Sequence, residues 1–268
     1  MLAPSPLVDL IIPVLNEVKA LEKSVETVRE FLGRTFPYRW RVTIADNGST
    51  DGTREVGERL QAKYPGEVCF FAIPQRGRGR ALRLAWTQSP ADIMAYTDVD
   101  LSTELEALEV LCRAIHEQGF DLGTGSRLQK TSRVKRGPKR EFISRSYNLM
   151  VKTLLFTHFS DAQCGFKAVS REVVEKIVPH VEDQAWFFDT ELLALAEKQG
   201  YRIKDHPVLW IDDEDSRVKI VKTAWEDIKG LVRVRFYLWS SAFRSTRAQW
   251  RKGSPKQSAS AAREHARV

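Results

Sequence analysis

The segment ADIMAYTDVD, residues 91–100, decides the fold class. Its first eight residues form a short apolar run that ends in an aspartate, a pattern typical of a buried β-strand. Val99 then separates Asp98 from Asp100. Two carboxylates at this spacing can hold one hard divalent cation, Mg²⁺ or Mn²⁺, and leave positions open for phosphate oxygens. Because an isolated Asp-x-Asp sequence is more often a solvated acidic turn, its weight depends on the neighbouring segments.

Segments before residue 91 alternate between strand and helix patterns. Apolar runs predict strands over residues 7–15, 40–46 and 68–73. Helical periodicity lies between these runs, and the first helix is predicted to open at Asn16 and Glu17. Strands that alternate with helices form a mostly parallel sheet, whose ligands bind at the carboxyl ends of the strands. The sequence therefore predicts an α/β fold with a mostly parallel central sheet flanked by helices.

The second half of the chain is less regular. It predicts a basic loop over residues 127–140, a helix over about 141–157 and one strand from Tyr201 to Trp210. Residues 219–243 have the apolar spacing of an amphipathic helix with basic flanks.

Composition changes divide the chain into three predicted parts. Residues 1–216 form the α/β catalytic domain, and residues 217–243 form a basic amphipathic helical extension. Residues 244–268 consist largely of Ser, Ala, Gln, Lys and Arg, with little to bury, so we expect a disordered basic tail.

The net charge of +7 is unevenly distributed. Residues 217–268 contain 13 Lys and Arg against 3 Asp and Glu, whereas the rest of the chain is slightly acidic. A second basic region, residues 127–152, contains nine Lys and Arg and one Glu. Two such regions indicate a polyanionic partner, which can be a set of phosphates, an anionic membrane surface or a nucleic acid.

The cysteines and the hydropathy exclude several classes of protein. Cys69, Cys112 and Cys164 are far apart and form no CxxC pair, so neither a disulfide framework nor a zinc site is expected. The sequence shows no signal-peptide pattern and no run of about 18 uncharged apolar residues, so no membrane span is expected. Together these features predict a cytoplasmic location with reduced thiols.

Two further loops are expected at the same edge of the sheet as the two aspartates. DNGSTDG, residues 46–52, follows the second predicted strand, and its Asp46 can accept a hydrogen bond from a base N–H. The alternative is an ordinary turn in which Asp51 caps the next helix. PVLNE, residues 13–17, ends the first strand, and its Asn-Glu pair is also compatible with a simple helix start.

These three stretches, in this order and spacing, resemble the family 2 glycosyltransferases of the GT-A fold, which bind a nucleotide sugar through a DxD metal motif. Further motifs make the sequence similar to the polyprenyl-phosphate hexose synthases, on the dolichyl-phosphate glucose synthase side. They are QRGRGRA (75–81), GSR (125–127), DAQCGFK (161–167), FDTELL (188–193) and DSRV (215–218).

The resemblance implies roles for individual residues. Catalytic roles fall on Asp98, Asp100, Arg127, Arg140, Ser144 and Arg217. The nucleotide would be bound by Pro13, Leu15, Glu17, Ile44, Asp46, Asp98, Val99, Asp100 and Arg217. The metal would be held by Asp100, Asp98 and Ser102. The acceptor phosphate would be held by Arg127, Arg140 and Ser144, and Arg217 would contact the diphosphate.

The assignment of Arg127, Arg140 and Ser144 to the acceptor phosphate also has an independent physical basis. Arginine offers paired donors that match phosphate oxygens, and Ser144 lies near the start of the predicted helix, where anions are favoured. The alternative interpretation of these basic residues is a solvated run of charges, which most such runs are.

The expected reaction is inverting transfer of a hexose from a nucleoside diphosphate sugar, a UDP-sugar by preference, to a polyprenyl phosphate, which gives a β-linked product. A phosphate monoester is largely a dianion at neutral pH and needs no strong general base. A hydroxyl acceptor would need one, and Asp161 and Asp189 are the candidates. A soluble phosphorylated or hydroxyl acceptor is the alternative.

Expected partners follow from the basic regions. The amphipathic helix and tail fit peripheral contact with an anionic membrane surface, and a separate membrane protein is another possible partner. Nucleic acid is not expected, because no base-stacking aromatic residues are interleaved with the basic residues after Trp250. A non-enzymatic protein of the same fold is also disfavoured, because Asp98 and Asp100 are both intact.

Overall fold

A computed structural model of the chain describes residues 5–211 and 220–240. Seven strands form the central sheet, in the spatial order β3-β2-β1-β4-β7-β5-β8. Their bounds are β1 (Leu7–Val14), β2 (Arg39–Asp46), β3 (Val68–Ala72), β4 (Ile93–Thr97), β5 (Leu122–Ser126), β7 (Phe166–Ser170) and β8 (Ile203–Pro207). Only β7 pairs antiparallel with its neighbours, so the predicted mostly parallel sheet is confirmed. Two short strands, β6 (Arg133–Lys135) and β9 (Leu209–Ile211), pair in parallel as a second sheet.

Eight α-helices in the described residues connect and cover the strands. They are α1 (Leu21–Thr35), α2 (Thr53–Lys63), α3 (Arg78–Gln88), α4 (Glu106–His116), α5 (Pro138–Leu155), α6 (Arg171–Lys176), α7 (Phe188–Gln199) and α8 (Ile220–Trp239). None of the helices in residues 5–211 and 220–240 combines the length and apolar composition that a membrane crossing needs. The predicted C-terminal amphipathic helix is present as α8.

Strand β4 shows how one sequence pattern serves both faces of the sheet. Ile93 and Ala95 pack into the apolar cluster beneath α1, α2 and α4. Met94 and Tyr96 point the other way, into the cluster beneath α3, α5, α7 and α8. Successive strand residues face opposite sides, so a strand that is apolar throughout must be covered on both. The sheet is therefore the middle layer of three.

The register brings three strand ends to one edge. Val14 of β1 lies opposite Asp46 of β2, and Ile11 lies opposite Tyr96 of β4. The segments that follow β1, β2 and β4 therefore leave the sheet side by side. This edge is where a parallel sheet binds ligands.

Two predicted boundaries are wrong. The first helix begins at Leu21, because the segment after β1 forms a loop that is hydrogen-bonded to the segment after β2. The strand predicted from Tyr201 to Trp210 is two strands separated by Val208. The Val208 amide donates to the Ser126 carbonyl, and the Val208 carbonyl accepts from Arg133. The chain thus passes at this residue from the central sheet to the second sheet.

The region predicted as a basic loop, residues 127–140, contains β6 and the first turn of α5. The helix begins at Pro138, whose fixed φ and missing N–H suit a first helical position. The predicted division at residue 216 stays a prediction, and the predicted tail, residues 244–268, lies outside the described residues.

Candidate active site

The loop after β1 is tied to the loop after β2. The Asn16 amide donates to Ser49 Oγ at 2.8 Å, and the Asn16 side-chain oxygen accepts from the Thr50 amide at 2.8 Å. The Glu17 amide donates to Thr53 Oγ1 at 2.8 Å. Asn16 has a φ of +58°, in the left-handed region that asparagine tolerates better than most residues. These bonds fix two of the three ligand-facing loops relative to each other.

The first two residues of the DNGSTDG loop, Asp46 and Asn47, are fixed by hydrogen bonds to backbone groups. Asp46 is buried and accepts a hydrogen bond from the Ser49 amide at 3.0 Å. The neighbouring Asn47 side chain donates to the Val14 carbonyl at 2.9 Å and accepts from the Gly77 amide at 3.2 Å. Asn47 therefore connects β1, β2 and the loop before α3.

The N-cap position of α2 is occupied by Gly52, so Asp51 lies one residue before the position that the alternative interpretation gave it. The Asp51 carboxylate accepts from the amide and the hydroxyl of Thr53, the first residue of α2, at 3.1 and 2.6 Å.

Five of the residues expected to bind the nucleotide lie within or just after β1 and β2, at different depths. Leu15 and Glu17 are half-buried at the open edge. Pro13 and Asp46 are buried in the last residues of their strands. Ile44 is fully buried in the cluster beneath the sheet, so its side chain supports the edge from within. Their contact with a nucleotide stays a prediction.

The segment Asp98–Ser102 forms a tight loop with four anchors. The Asp98 carbonyl accepts from the Leu101 amide at 3.1 Å, and the Asp100 carboxylate accepts from the Ser102 amide at 3.0 Å. Ser24 of α1 donates to the Val99 carbonyl, and the Ser102 carbonyl accepts from Ile211 of β9.

Leu101 has a φ of +50°, a conformation that leucine rarely adopts. Such strain persists only where surrounding contacts enforce it, and it is concentrated at functional sites.

The Asp98 carboxylate is fixed from two sides. Arg78 of α3 donates to its Oδ1 at 2.7 Å. On the other side lies Gly165, where a β-carbon would overlap the Asp98 carboxylate. The Asp98 side chain nevertheless remains 43% exposed. It is therefore positioned and open to a ligand.

Behind Asp98 lies a buried cluster of charges. Arg78 also donates to Asp189 at 2.7 Å, so a single guanidinium joins α7 to the Asp98 loop. Tyr96 donates to the same Asp189 carboxylate at 2.5 Å, and the Lys167 ammonium lies 3.3 Å from it. Burial alone would raise the pKa of Asp189, but the charges of Lys167 and Arg78 hold it below its usual range. Asp189 is thus an ion-paired carboxylate.

Arg127 and Asp161 form a second buried pair. The Arg127 guanidinium donates from Nε at 2.7 Å and from Nη2 at 3.0 Å, and its backbone amide donates at 3.0 Å. Asp161 is fully buried. Although burial raises the pKa of an acid, the charge and hydrogen bonds of Arg127 lower that of Asp161 to about 2. The two motifs GSR and DAQCGFK therefore meet through this pair.

Arg140 and Ser144 both lie on α5. Ser144 is the seventh residue of the helix, so the expectation that it lies near the helix start is wrong. Its hydroxyl accepts from Arg136 Nη1 at 3.1 Å, and Arg136 also pairs with Glu141. Arg140 is half-buried. Arg217 lies outside the described residues.

The sequence matches one family over most of the domain. Residues 9–178 match the family described as "Glycosyl transferase family 2". The chain belongs to glycosyl transferase family 2. The resemblance inferred from the motifs is therefore confirmed.

Relatives within the family agree with the subgroup expected from the motifs. "Glycosyltransferase AglD" of Haloferax volcanii is 35% identical over 225 residues, which cover 84% of this chain and 35% of AglD. The "Dolichyl-phosphate beta-glucosyltransferase" of Saccharomyces cerevisiae is 26% identical over 244 residues, 84% of this chain and 73% of the yeast protein. The chain thus spans about a third of AglD and about three quarters of the yeast enzyme.

The glucosyl-3-phosphoglycerate synthase of Mycobacterium tuberculosis has a similar structure, solved with Mn²⁺, UDP-glucose and phosphoglyceric acid. It superposes with a TM-score of 0.64 at 16% identity, over 86% of this chain and 80% of that one. At this identity the likeness shows the fold alone, and it confirms the GT-A architecture.

The oxygen donors of the Asp98 loop fit a hard divalent cation. Asp98 and Asp100 present carboxylates at the open edge of the sheet. Within the described part of the chain, no group of three or more His, Cys, Asp and Glu residues could hold a metal ion by itself. Two carboxylates suit a Mg²⁺ or Mn²⁺ ion that takes its other ligands from water and substrate phosphates.

Sequence reasoning did not identify the cluster behind Asp98. Arg78, Tyr96 and Lys167 lie within the motifs but have no predicted role in the site, and Asp189 is predicted as a candidate base but not as an ion-pair partner. A usable signal was present, because Lys167 lies in an apolar strand and a buried lysine requires an acidic partner. The partner could not be named, because Asp189 is distant in sequence.

Proposed function

We propose that this family 2 glycosyltransferase is an inverting hexosyltransferase that uses a nucleoside diphosphate sugar and a polyprenyl phosphate. The observation that carries the proposal is the Asp98–Asp100 pair at the carboxyl edge of β4, beside the loops that follow β1 and β2. Relatives named dolichyl-phosphate beta-glucosyltransferases support the lipid phosphate as acceptor. The product would be a β-linked sugar on the lipid phosphate.

On the donor side, we propose UDP as the nucleotide. The loops after β1 and β2 would bind the base and ribose through Leu15, Glu17 and Asp46. Asp100 and Asp98 would hold a Mg²⁺ or Mn²⁺ ion, with Ser102 beside them. The ion would supply positive charge to the leaving diphosphate. Arg217 would contribute a further positive charge to the leaving diphosphate.

On the acceptor side, the ion pairs favour a phosphate over a hydroxyl. A hydroxyl acceptor needs a base, and the two candidates are Asp161 and Asp189. Both carboxylates are buried against arginines, and the pKa of Asp161 is about 2. An acid of such low pKa is a weak proton acceptor at neutral pH. A phosphate dianion already carries its attacking lone pair and releases no proton.

The chemical step would then be one displacement. A phosphate oxygen of the acceptor forms a bond to C1 of the sugar, while the bond from C1 to the diphosphate oxygen breaks on the opposite face. The diphosphate leaves with the electron pair. Arg127, Arg140 and Ser144 would bind the acceptor phosphate and orient it for this attack.

A lipid acceptor requires the protein to meet a membrane. We propose peripheral contact with an anionic membrane surface on the cytoplasmic side, with attraction of about 1 kcal/mol for each Lys or Arg near that surface. A membrane protein that delivers the lipid is the alternative partner.

The test is a transfer assay with radiolabelled nucleotide sugars, a short polyprenyl phosphate and Mg²⁺ or Mn²⁺. We expect label from one donor to enter the organic phase, and Asp100→Asn to abolish it. Asp92→Asn is the matched control, because Asp92 lies at the opposite end of the same strand and bonds the Leu7 amide. Asparagine can still accept that bond, so activity is retained.

Each alternative result has a defined meaning. Transfer only to a soluble phosphate such as 3-phosphoglycerate would keep the glycosyltransferase and replace the acceptor. No turnover of any donor would overturn the proposal.

A further inference from the structure

Trp186 is an exposed tryptophan at the edge of the candidate active site. It lies in the loop before α7 and exposes 45% of its surface, whereas its neighbours Phe187 and Phe188 are buried in the core. The two phenylalanines anchor this segment, so Trp186 is not needed to fill the core. A single exposed aromatic residue is common on protein surfaces, and its significance therefore depends on its position and its contacts.

The Trp186 ring lies over the arginine that holds Asp98. Its ring centre is 5.2 Å from the Arg78 guanidinium carbon, and the Tyr96 ring centre is 4.8 Å from the same carbon. Arg78 in turn donates to Asp98 Oδ1 at 2.7 Å and to Asp189 Oδ2 at 2.7 Å. A single guanidinium therefore separates the exposed indole from a carboxylate that is expected to face the donor.

The backbone on either side of Trp186 is fixed by hydrogen bonds. The Ala185 carbonyl accepts from the Gly79 amide, in the first turn of α3, at 3.2 Å. The Asp183 carboxylate accepts from the Ala185 amide at 2.7 Å and from the Phe188 amide at 3.1 Å. This backbone and the guanidinium beneath the ring hold the indole in a defined orientation. Binding of a ligand to it would therefore cost little conformational entropy.

The surroundings of the indole favour a ligand that is apolar on one face and polar at its edge. The ring supplies an apolar surface, while the Asp98 side chain, 43% exposed, supplies hydrogen-bond acceptors close to it. A pyranose ring has this character, since C–H bonds cover its faces and hydroxyls surround its edge. A prenyl chain fits less well, because it has no polar group to replace the water that it would remove from Asp98.

We propose that Trp186 binds the hexose of the donor by stacking its indole on a C–H face of the sugar ring. The inference deepens the proposed function and rests on it, since it takes a nucleoside diphosphate hexose as the donor. Glucose suits a flat aromatic surface, because its ring hydroxyls are all equatorial and both of its faces present C–H bonds. UDP-glucose is therefore the probe.

Isothermal titration calorimetry of the full chain with Mn²⁺ and either UDP-glucose or UDP tests the proposal, since the two ligands differ only by the hexose. We expect Trp186→Leu to weaken UDP-glucose binding about tenfold, the size of one well-placed aromatic contact, and to leave UDP binding unchanged. Retained UDP binding also shows that this variant is folded. Trp186→Tyr keeps an aromatic ring and should bind UDP-glucose within about threefold of the unaltered chain.

The matched control is Trp225→Leu, which removes an exposed tryptophan of α8 whose ring lies against Lys229. This variant should bind both ligands like the unaltered chain. Transfer kinetics provide a second readout, in which Trp186→Leu should raise the KM for UDP-glucose and leave the KM for the polyprenyl phosphate unchanged.

The remaining outcomes separate this inference from other roles of the ring. Equal losses of UDP and UDP-glucose binding in Trp186→Leu would mean that the indole only covers Arg78, and would overturn the inference. Unchanged UDP-glucose affinity would overturn it too, and a raised KM for the polyprenyl phosphate would then assign the ring to the acceptor. Binding of UDP but not UDP-glucose to the unaltered chain would overturn the inference alone. Binding of neither ligand would overturn the proposed donor as well.

Discussion

The Asp98 carboxylate occupies the space that a β-carbon on residue 165 would need. Gly165 is therefore required by its neighbour rather than by its own backbone, since its φ is not among the positive values. The Asp98 side chain is half-exposed and can rotate away from an added methyl group. A larger residue at position 165 would thus displace one carboxylate of the site and leave the fold in place.

We expect Gly165→Ala to lower kcat/KM about a hundredfold, because a displacement of about 1 Å at a reacting centre has this effect. Transfer kinetics measure it, and far-UV circular dichroism checks the fold. Gly33→Ala is the control, because a β-carbon there meets only ordinary contact with Trp40. Wild-type kinetics in Gly165→Ala would show that Asp98 need not stay where it is.

Arg78→Met should destabilise the protein as well as inactivate it. The arginine is only 10% exposed and pairs with Asp98 and Asp189, so its removal leaves a buried carboxylate with less compensation. Breaking a buried pair costs about 3 kcal/mol or more. Urea unfolding measures the loss. Arg59→Met removes an exposed pair with Glu22 and should cost at most about 1 kcal/mol. Similar losses in both variants would contradict the role given to Arg78.

Asn16 should matter through both its backbone and its side chain. Asn16→Gly keeps the left-handed conformation and loses the hydrogen bond from Thr50, so UDP affinity should fall about fivefold. Asn16→Ala loses the bond and adds backbone strain, so the fall should be larger. Isothermal titration calorimetry measures both. Equal affinities of the two variants would show that the backbone conformation contributes nothing.

Asp227 predicts a pH-dependent stability. Burial raises its pKa to about 6, whereas an unfolded chain has the ordinary value of 3.8. A raised acid pKa means that the folded state favours the protonated form, so this residue destabilises the protein as pH rises from about 4 to 6. Asp227→Asn should therefore raise the urea midpoint at pH 8 and raise it less at pH 4.5. An equal rise of the urea midpoint at both pH values would show that ionisation of Asp227 is not the cause.

Much of the fold could be predicted, because its strands are apolar on both faces. Residues 91–98 predicted β4 because each side chain of a buried strand must meet a covering layer. The position of Asp98 and Asp100 followed, since the carboxyl end of a parallel strand is a binding edge. The break at Val208 could not be predicted, because the apolar pattern continues through it and only pairing with β6 turns the chain.

The connections within the site were beyond the sequence pattern. Arg78 and Asp189 are 111 residues apart, and Arg127 and Asp161 are 34 apart, so no local periodicity links them. The sequence identifies the arginines as cations and the aspartates as anions, but it does not pair them. Which cation neutralises which carboxylate is decided by the packing of α3, α7 and the sheet.

Helix α8 carries one further consequence. Gly230 lets it approach the Phe187 ring so closely that a β-carbon would not fit, and Leu231 and Val234 lie in the same core as β4. The nearly buried Glu191 carboxylate accepts a hydrogen bond from Arg233 of this helix. The helix and the sheet thus pack into the same apolar core. Unfolding of either one would expose apolar side chains of the other. We therefore regard them as a single cooperative unit, which melts in one transition.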